Sequence, residues 1–409
     1  MRNSKASLLV LGFIFLTMGV GSSARAESPK EWTFLVYLNG KNSLDSYGKF
    51  NINQMEEVGS TDQINVVVQW ASSENKTTKR LLVKKDTNTN LVTSPVIQDM
   101  GKVDMGDYKT LIEFIKWGAA NYPAKHYFVD VWDHGSGWHN ISSLMSPFGS
   151  FTPPYAPNDI SWDDETGNFM TTKQLGQALK EGATIIGHKI DVYGSDACLM
   201  AMAEVASEMA DSVDVSVGSE ETEPGAGWPY NTFLKSWSEK IGATAADVGK
   251  ILTTEYVKSY QGGVNGSSQV TFSSFDLSKL GAVQEAVKTL GEALSKLSSS
   301  DRKKVVTAGQ AAQSFYYSDY VDLFDFMNKL EKSNITALSG DIYALVKTAA
   351  SQMVIANADT TSYSSAGGLA IWLPSSSSDY SYYAEKYKQM NFDQATGWGK
   401  VLATLLAAR

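Results

Sequence analysis

Ile190-Asp191-Val192-Tyr193-Gly194-Ser195-Asp196-Ala197-Cys198 is a short apolar run that leads into the only cysteine of a 409-residue chain. Upstream, Tyr127-Phe128-Val129-Asp130-Val131-Trp132-Asp133-His134-Gly135 is built the same way and ends in His-Gly. Runs of this length, rich in β-branched and aromatic residues, read as buried strands. Further strands are expected at 32–38, 64–70 and 213–218. A hairpin from 80–85 and 91–97 is expected about the turn-rich Asp86-Thr87-Asn88-Thr89-Asn90. Between the strands lie helical patterns. One spans 46–58. A second spans 107–120, with Leu111, Ile112, Phe114, Ile115 and Trp117 forming its apolar side ahead of Pro123. A third, capped by Thr171 or Thr172, runs to about 181. A fourth spans 199–210, with Leu199, Met202, Val205 and Met209 on one face. Alternation of strand and helix predicts an α/β fold, a mostly parallel sheet with helices on both faces.

In open α/β sheets the site lies at the carboxyl ends of the strands. His134 and Cys198 both fall there. Adjacent strands are about 5 Å apart, so the two residues can face one another as a thiol nucleophile and its base. Cys198 is expected to open the helix at 199–210, whose N-terminal dipole would favour thiolate and whose N–H groups would hold an oxyanion. Gly135 lets the backbone after His134 approach a substrate carbonyl. Asp133 is adjacent to His134 in a strand and points to the other face, so a two-residue dyad is expected. Taken singly, a lone cysteine reads as a small buried hydrophobe and a strand-terminal histidine as a structural residue. Their pairing on two such strands is what favours catalysis. His126, His139 and His188 read as surface residues. His134 and His139 lack a His-Glu-x-x-His pattern and a third ligand, so no metal is expected there. The chain has no Gly-x-Ser-x-Gly elbow, no P-loop and no Gly-x-Gly-x-x-Gly.

Residues 1–26 read as a secretory signal peptide: Arg2 and Lys5, an apolar stretch over 7–20, then Ala24-Arg25-Ala26. The mature chain is therefore expected to be secreted or periplasmic, with no membrane span. An unpaired thiol in an exported chain has no internal disulfide partner. Without residues 1–26 the chain holds 32 basic against 44 acidic residues, a net charge of −12. That balance argues against nucleic acid as a partner. About 380 residues exceed what one core usually organises, so the expected division is a catalytic domain at 27–262 and a C-terminal α/β accessory domain at 263–409. In the latter a strand is expected at 269–277, helices at 278–298, 301–313 and 319–331, a strand at 367–373 and a final helix at 392–406. A monomer is expected.

The two motifs together resemble the caspase-like clan of cysteine peptidases, and within it the clostripain family. The resemblance includes Trp32-Thr33-Phe34-Leu35-Val36-Tyr37-Leu38, Trp132-Asp133-His134-Gly135-Ser136-Gly137-Trp138, and Asp196-Ala197-Cys198-Leu199-Met200-Ala201 with Glu204. It continues through Glu223-Pro224-Gly225-Ala226-Gly227-Trp228 and Gly368-Leu369-Ala370-Ile371-Trp372-Leu373-Pro374. It implies an endopeptidase that cuts after Arg or Lys. Cys198 would be the nucleophile, His134 the general base, and the N–H groups of Gly135 and Cys198 the oxyanion hole. Asp196 matches the acid of the basic-residue pocket, with a helix-cap role as the alternative. A second pocket acid would come from Glu220, Glu221 or Glu223, with Glu221 as the assignment made here. No cofactor is required. Calcium, which some relatives need, would fall to Asp163-Asp164-Glu165, which otherwise read as a solvated loop. Relatives are often matured by cleavage at a basic residue between the two motifs. Residues 139–172 contain no Lys or Arg, so a single-chain enzyme or one regulated by the proline-rich loop is expected, with Lys173 and Lys180 the first candidate cleavage sites. A binding or adhesion protein on an inactive peptidase fold and a cysteine transpeptidase are the alternative functions.

Overall fold

The computed structural model describes residues 29–140 and 158–407. The signal-peptide reading of 1–26 and most of the proline-rich loop lie outside them. The strands, in chain order, are β1 Lys30–Gly40, β2 Ile64–Ser72, β3 Thr77–Leu82, β4 Val96–Gly101, β5 Ala124–Trp132, β6 Gly135–Asn140, β7 Asn158–Asp163, β8 Asn168–Met170, β9 Ile190–Asp196, β10 Val213–Gly218, β11 Gln261–Gly263, β12 Gly266–Ser267, β13 Thr271–Asp276, β14 Tyr320–Asp322, β15 Val354–Asp359 and β16 Ala370–Trp372. Nine of them form one sheet in the order β15-β13-β10-β9-β5-β1-β2-β3-β4. The five central strands, β2, β1, β5, β9 and β10, pair in parallel. Antiparallel pairs close both flanks.

Every residue of β2 and β9, and all but the first two of β1, is buried. Burial on both faces is why these strands read as continuous apolar runs. Alternate residues of β1 face opposite cores. Leu35 and Tyr37 join the core beneath helices Tyr108–Asn121 and Thr172–Ile186. Phe34, Val36 and Leu38 join the one beneath Asp45–Glu56, Tyr230–Glu239 and Ala245–Ser259. Thr171 caps Thr172–Ile186 in a reciprocal capping box with Gln174, and Gly187, at φ 93°, ends the helix.

Three expectations need correction. The helix after Cys198 spans only Ala203–Met209. Leu199 sits at φ +65°, and Leu199 and Ala201 spend their N–H groups on strand-like pairing: Leu199 N donates to Glu221 O and Ala201 N to Ser219 O. The apolar face of 199–210 arises because both neighbours of this segment are buried. Second, residues 263–409 are not a separate layer. β13 and β15 extend the main sheet past β10, and one core cluster runs from Leu35 to Leu406. Third, the final helix is broken at Gly397, at φ 67°, into Asn391–Thr396 and Trp398–Leu406. Among the described residues no helix is long and apolar enough to cross a membrane.

Candidate active site

Register brings the two motifs together. Trp132 of β5 pairs with Asp196 of β9, and beyond the strand ends Asp133 N still donates to Asp196 O at 3.2 Å. Gly135 packs directly on the cysteine: a Cβ there would lie 2.6 Å from Cys198 O and 3.2 Å from Cys198 N. Only glycine allows that approach.

Cys198 Sγ accepts from Glu223 N–H at 3.2 Å. Burial pushes its thiol up to about 11, and the charges of Glu221 and Asp196 add to the rise, while the Glu223 and Gly135 N–H groups oppose it. The resting thiol is therefore protonated at neutral pH. No helix end lies behind it to favour thiolate, so the sulfur depends on a base. The His134 ring is lowered by burial, with Asp164 opposing, and is a neutral acceptor. Its Nε2 lies 3.0 Å from Ser43 Oγ.

Asp133 does not reach the His134 ring. Its Oδ1 accepts the His134 N–H at 2.6 Å and the Asn42 amide at 2.6 Å, and its Oδ2 accepts Asn39 Nδ2 at 2.9 Å. The carboxylate thus fixes the backbone on both sides of the cleft.

Asp196 lies beneath the cysteine in a buried acid cluster. Its Oδ2 accepts from Tyr230 Oη at 2.8 Å and from Trp228 N at 3.2 Å. Tyr230 Oη also lies 2.8 Å from Asp130 Oδ2, and Asp130 Oδ1 accepts Asp196 N–H. The loop 224–228 lies over Asp196 because residue 227 is glycine at φ +61°, where a Cβ would meet both carboxylate oxygens at 2.8 Å. Burial raises Asp196, Asp130 and Glu223 together. Both Glu223 oxygens are closed off from solvent without a conventional hydrogen bond, and the groups facing them are the Asp196 carboxyl and the Tyr256 hydroxyl. A protonated Glu223 donating to Asp196 satisfies both observations.

The three candidate second acids part company. Glu221 turns to the late part of the chain, accepting from Tyr316 N at 3.2 Å and Tyr363 Oη at 3.0 Å. Glu220 is buried against Asp322. Glu223, not Glu221, joins Asp196. Sequence reading missed Ser43, Asp130 and Tyr230. Asp130 sits on β5, beside β9, and Ser43 lies just past β1, beside β5, a signal that needs strand order to be read. Tyr230 comes from a helix with no motif.

Asp163, Asp164 and Glu165 do not converge on one point. Buried Lys41 lies 3.4 Å from Asp163 and 3.3 Å from Glu165. Asp163 Oδ1 accepts the Glu165 and Thr166 N–H groups, and Asp164 accepts the Trp162 indole N–H. The set does not fit calcium, and no group of three metal-ligating side chains comes together among the described residues. His139 is not a surface residue. It is buried and stacks on Tyr383 at 3.9 Å.

A central parallel sheet carrying a thiol and an imidazole on adjacent strand ends defines a caspase-like α/β protein. The profile described as the clostripain family matches residues 36–404, and the chain belongs to that family. Clostripain of Hathewaya histolytica is 24% identical over 329 residues, 69% of this chain and 59% of the relative. The chain thus spans about 59% of that curated relative's length. A secreted C11 cysteine protease from Bacteroides thetaiotaomicron, solved with an irreversible peptide inhibitor, has TM-score 0.67 at 20% identity, covering 90% of this chain and 99% of that one. An inactive zymogen C11 protease from Parabacteroides distasonis has TM-score 0.68 at 21% identity, with the same coverage. At these identities the likeness is one of fold.

Proposed function

We propose that the protein is a cysteine endopeptidase that cleaves after Arg or Lys through a Cys198–His134 dyad. The observation that carries this reading is the junction of β5 and β9, where the strands leading into His134 and Cys198 pair side by side and Gly135 packs on the Cys198 backbone. His134 takes the thiol proton as the S–H bond breaks, and the sulfur attacks the scissile carbonyl carbon. The N–H groups of Gly135 and Cys198 receive the oxyanion. The C–N bond then breaks, the amine leaves with the proton held by His134, and water releases the acyl group by the reverse sequence. Asp196, with Glu223 beside it, supplies the negative charge for a basic P1 side chain. Placement of the site outside the cytoplasm follows from the signal-like first 26 residues. The enzyme works as a single chain. Residues 139–172 offer a basic-specific protease no bond to cut, and Lys173 and Lys180 lie on helix Thr172–Ile186.

Fluorogenic peptides with P1 Arg, Lys, Asp, Asn and Ala, tested with the protein and with Cys198→Ala, decide the matter. Cleavage confined to Arg and Lys and lost in the variant is expected. Cleavage after Asp or Asn would keep the dyad and remove Asp196 from its role. No cleavage would leave a binding protein on a peptidase fold.

A further inference from the structure

We propose that Ser43 is the positioning residue of His134: it occupies Nε2 and leaves Nδ1 as the atom that takes the thiol proton. This rests on the peptidase reading above and adds a third side chain to the dyad.

Ser43 Oγ lies 3.0 Å from His134 Nε2. A nitrogen engaged by a hydroxyl is not available to a sulfur, and imidazole has only one other. The serine is itself solvent-facing, and an exposed side chain alone would hold nothing. Its backbone is what is fixed. Ser43 lies between β1 and helix Asp45–Glu56, and β1 is the direct neighbour of β5. The Asn42 side chain donates to Asp133 Oδ1 at 2.6 Å and to Trp162 O at 2.9 Å, while its Oδ1 accepts Leu44 N–H at 2.9 Å. Asp133 Oδ1 also accepts the His134 N–H. One buried carboxylate therefore ties the serine's loop and the histidine's backbone to a common point. That sets the distance between hydroxyl and ring, as a ring-orienting group requires.

The chemistry follows from the hydrogen-bond inventory. With Nε2 carrying the proton and donating to Ser43 Oγ, the neutral ring presents a lone pair at Nδ1. When Nδ1 accepts the thiol proton, the ring becomes a cation. Its Nε2–H bond to Ser43 then strengthens, because charged donors make the stronger bonds. Ser43 thus occupies the ring edge away from the thiol and stabilises the imidazolium. Asp164 is the charged group that acts on the ring.

The test compares Ser43→Ala, Ser43→Thr and the parent protein in two assays. In peptide turnover, Ser43→Ala is expected to lower kcat about tenfold with KM little changed, the size of one lost charged hydrogen bond. The acidic limb of its kcat/KM profile should move to lower pH, since the cation loses its acceptor. Ser43→Thr, which keeps the hydroxyl, should restore both. The second assay is the pH dependence of Cys198 alkylation by iodoacetamide, which needs no turnover. Ser43→Ala should slow alkylation at neutral pH, again with rescue by threonine. Parent-like kcat and alkylation in Ser43→Ala would overturn the proposal. So would a loss carried by KM alone, or one that threonine does not restore. If the parent cleaves no peptide yet its alkylation responds to Ser43 as described, the peptidase reading fails and the Ser43 role stands.

Discussion

Tyr230→Phe isolates one hydroxyl that bridges two buried carboxyls. Tyr230 Oη sits 2.8 Å from both Asp196 Oδ2 and Asp130 Oδ2. Burial pushes Asp196 up to about 7, and the Tyr230 hydroxyl is the first of the groups that pull it back down. A hydrogen bond to a charged acceptor contributes about 1.5–3 kcal/mol, and one pH unit corresponds to about 1.4 kcal/mol. Losing the hydroxyl should therefore raise Asp196 by roughly one to two units. At pH 7 the ionised fraction would fall from about one half to between a tenth and a hundredth. If a basic P1 side chain needs the ionised form, kcat/KM for a P1-Arg peptide drops about five- to fiftyfold at pH 7 and recovers towards pH 9. The drop belongs in KM. The assay is a pH profile of kcat/KM for matched P1-Arg and P1-citrulline peptides. The citrulline peptide lacks the charge and controls for general damage. An unmoved midpoint, or an equal fall for both peptides, would refute the role given to the cluster.

Stability should respond to the same buried acids. Asp196 and Glu204 are each raised by burial to about 7, so between about pH 4 and 7 the native state holds protons that the unfolded state has released. Stability is then lost as pH rises through about 7. The depressed His134 and His139 act in the opposite sense only below about pH 6.5. The Tm of Cys198→Ala, which avoids self-digestion, should fall from pH 6.5 to pH 8, and a rise would contradict the sign. Gly194→Ala should cost about 1–3 kcal/mol, because its Cβ would lie 2.4 Å from Trp228 and 2.9 Å from Phe128; an unchanged denaturation midpoint would show that the two rings yield freely. Calcium or EDTA should leave both Tm and turnover unchanged, since the Lys41 ammonium already sits between Asp163 and Glu165; a calcium-dependent rise in Tm would place a site elsewhere.

The central strands were legible because β5 and β9 are buried on both faces, which leaves an unbroken apolar signature. That His134 and Cys198 lie close in space was legible because each follows directly on one of two such strands, and the structure pairs those strands side by side. What failed was everything that depends on what packs where. The segment after Cys198 has helical apolar spacing, yet its N–H groups are taken by Ser219 and Glu221 carbonyls from a neighbouring loop. The choice of Glu223 over Glu221 turns on Tyr316 and Tyr363, about a hundred residues away in sequence or more. Periodicity carries no information at that range. That strands beyond 262 extend the main sheet was not legible for a related reason. β13 is short and mostly buried, like any other strand, and nothing local says which sheet it joins.

Ala370 N donates to Ala201 O, Met202 bridges to Ala370, and Trp372 N donates to Glu204 Oε1 at 2.9 Å. The stretch that follows Cys198 is thus stapled by residues far later in the chain. Synthesis proceeds from the N-terminus. A chain halted anywhere before residue 370 carries both His134 and Cys198 but lacks the support that shapes the ground between Cys198 and Glu204. If the proposed peptidase activity needs that support, it arises only once residues 370–372 have been made and have paired with 201–204.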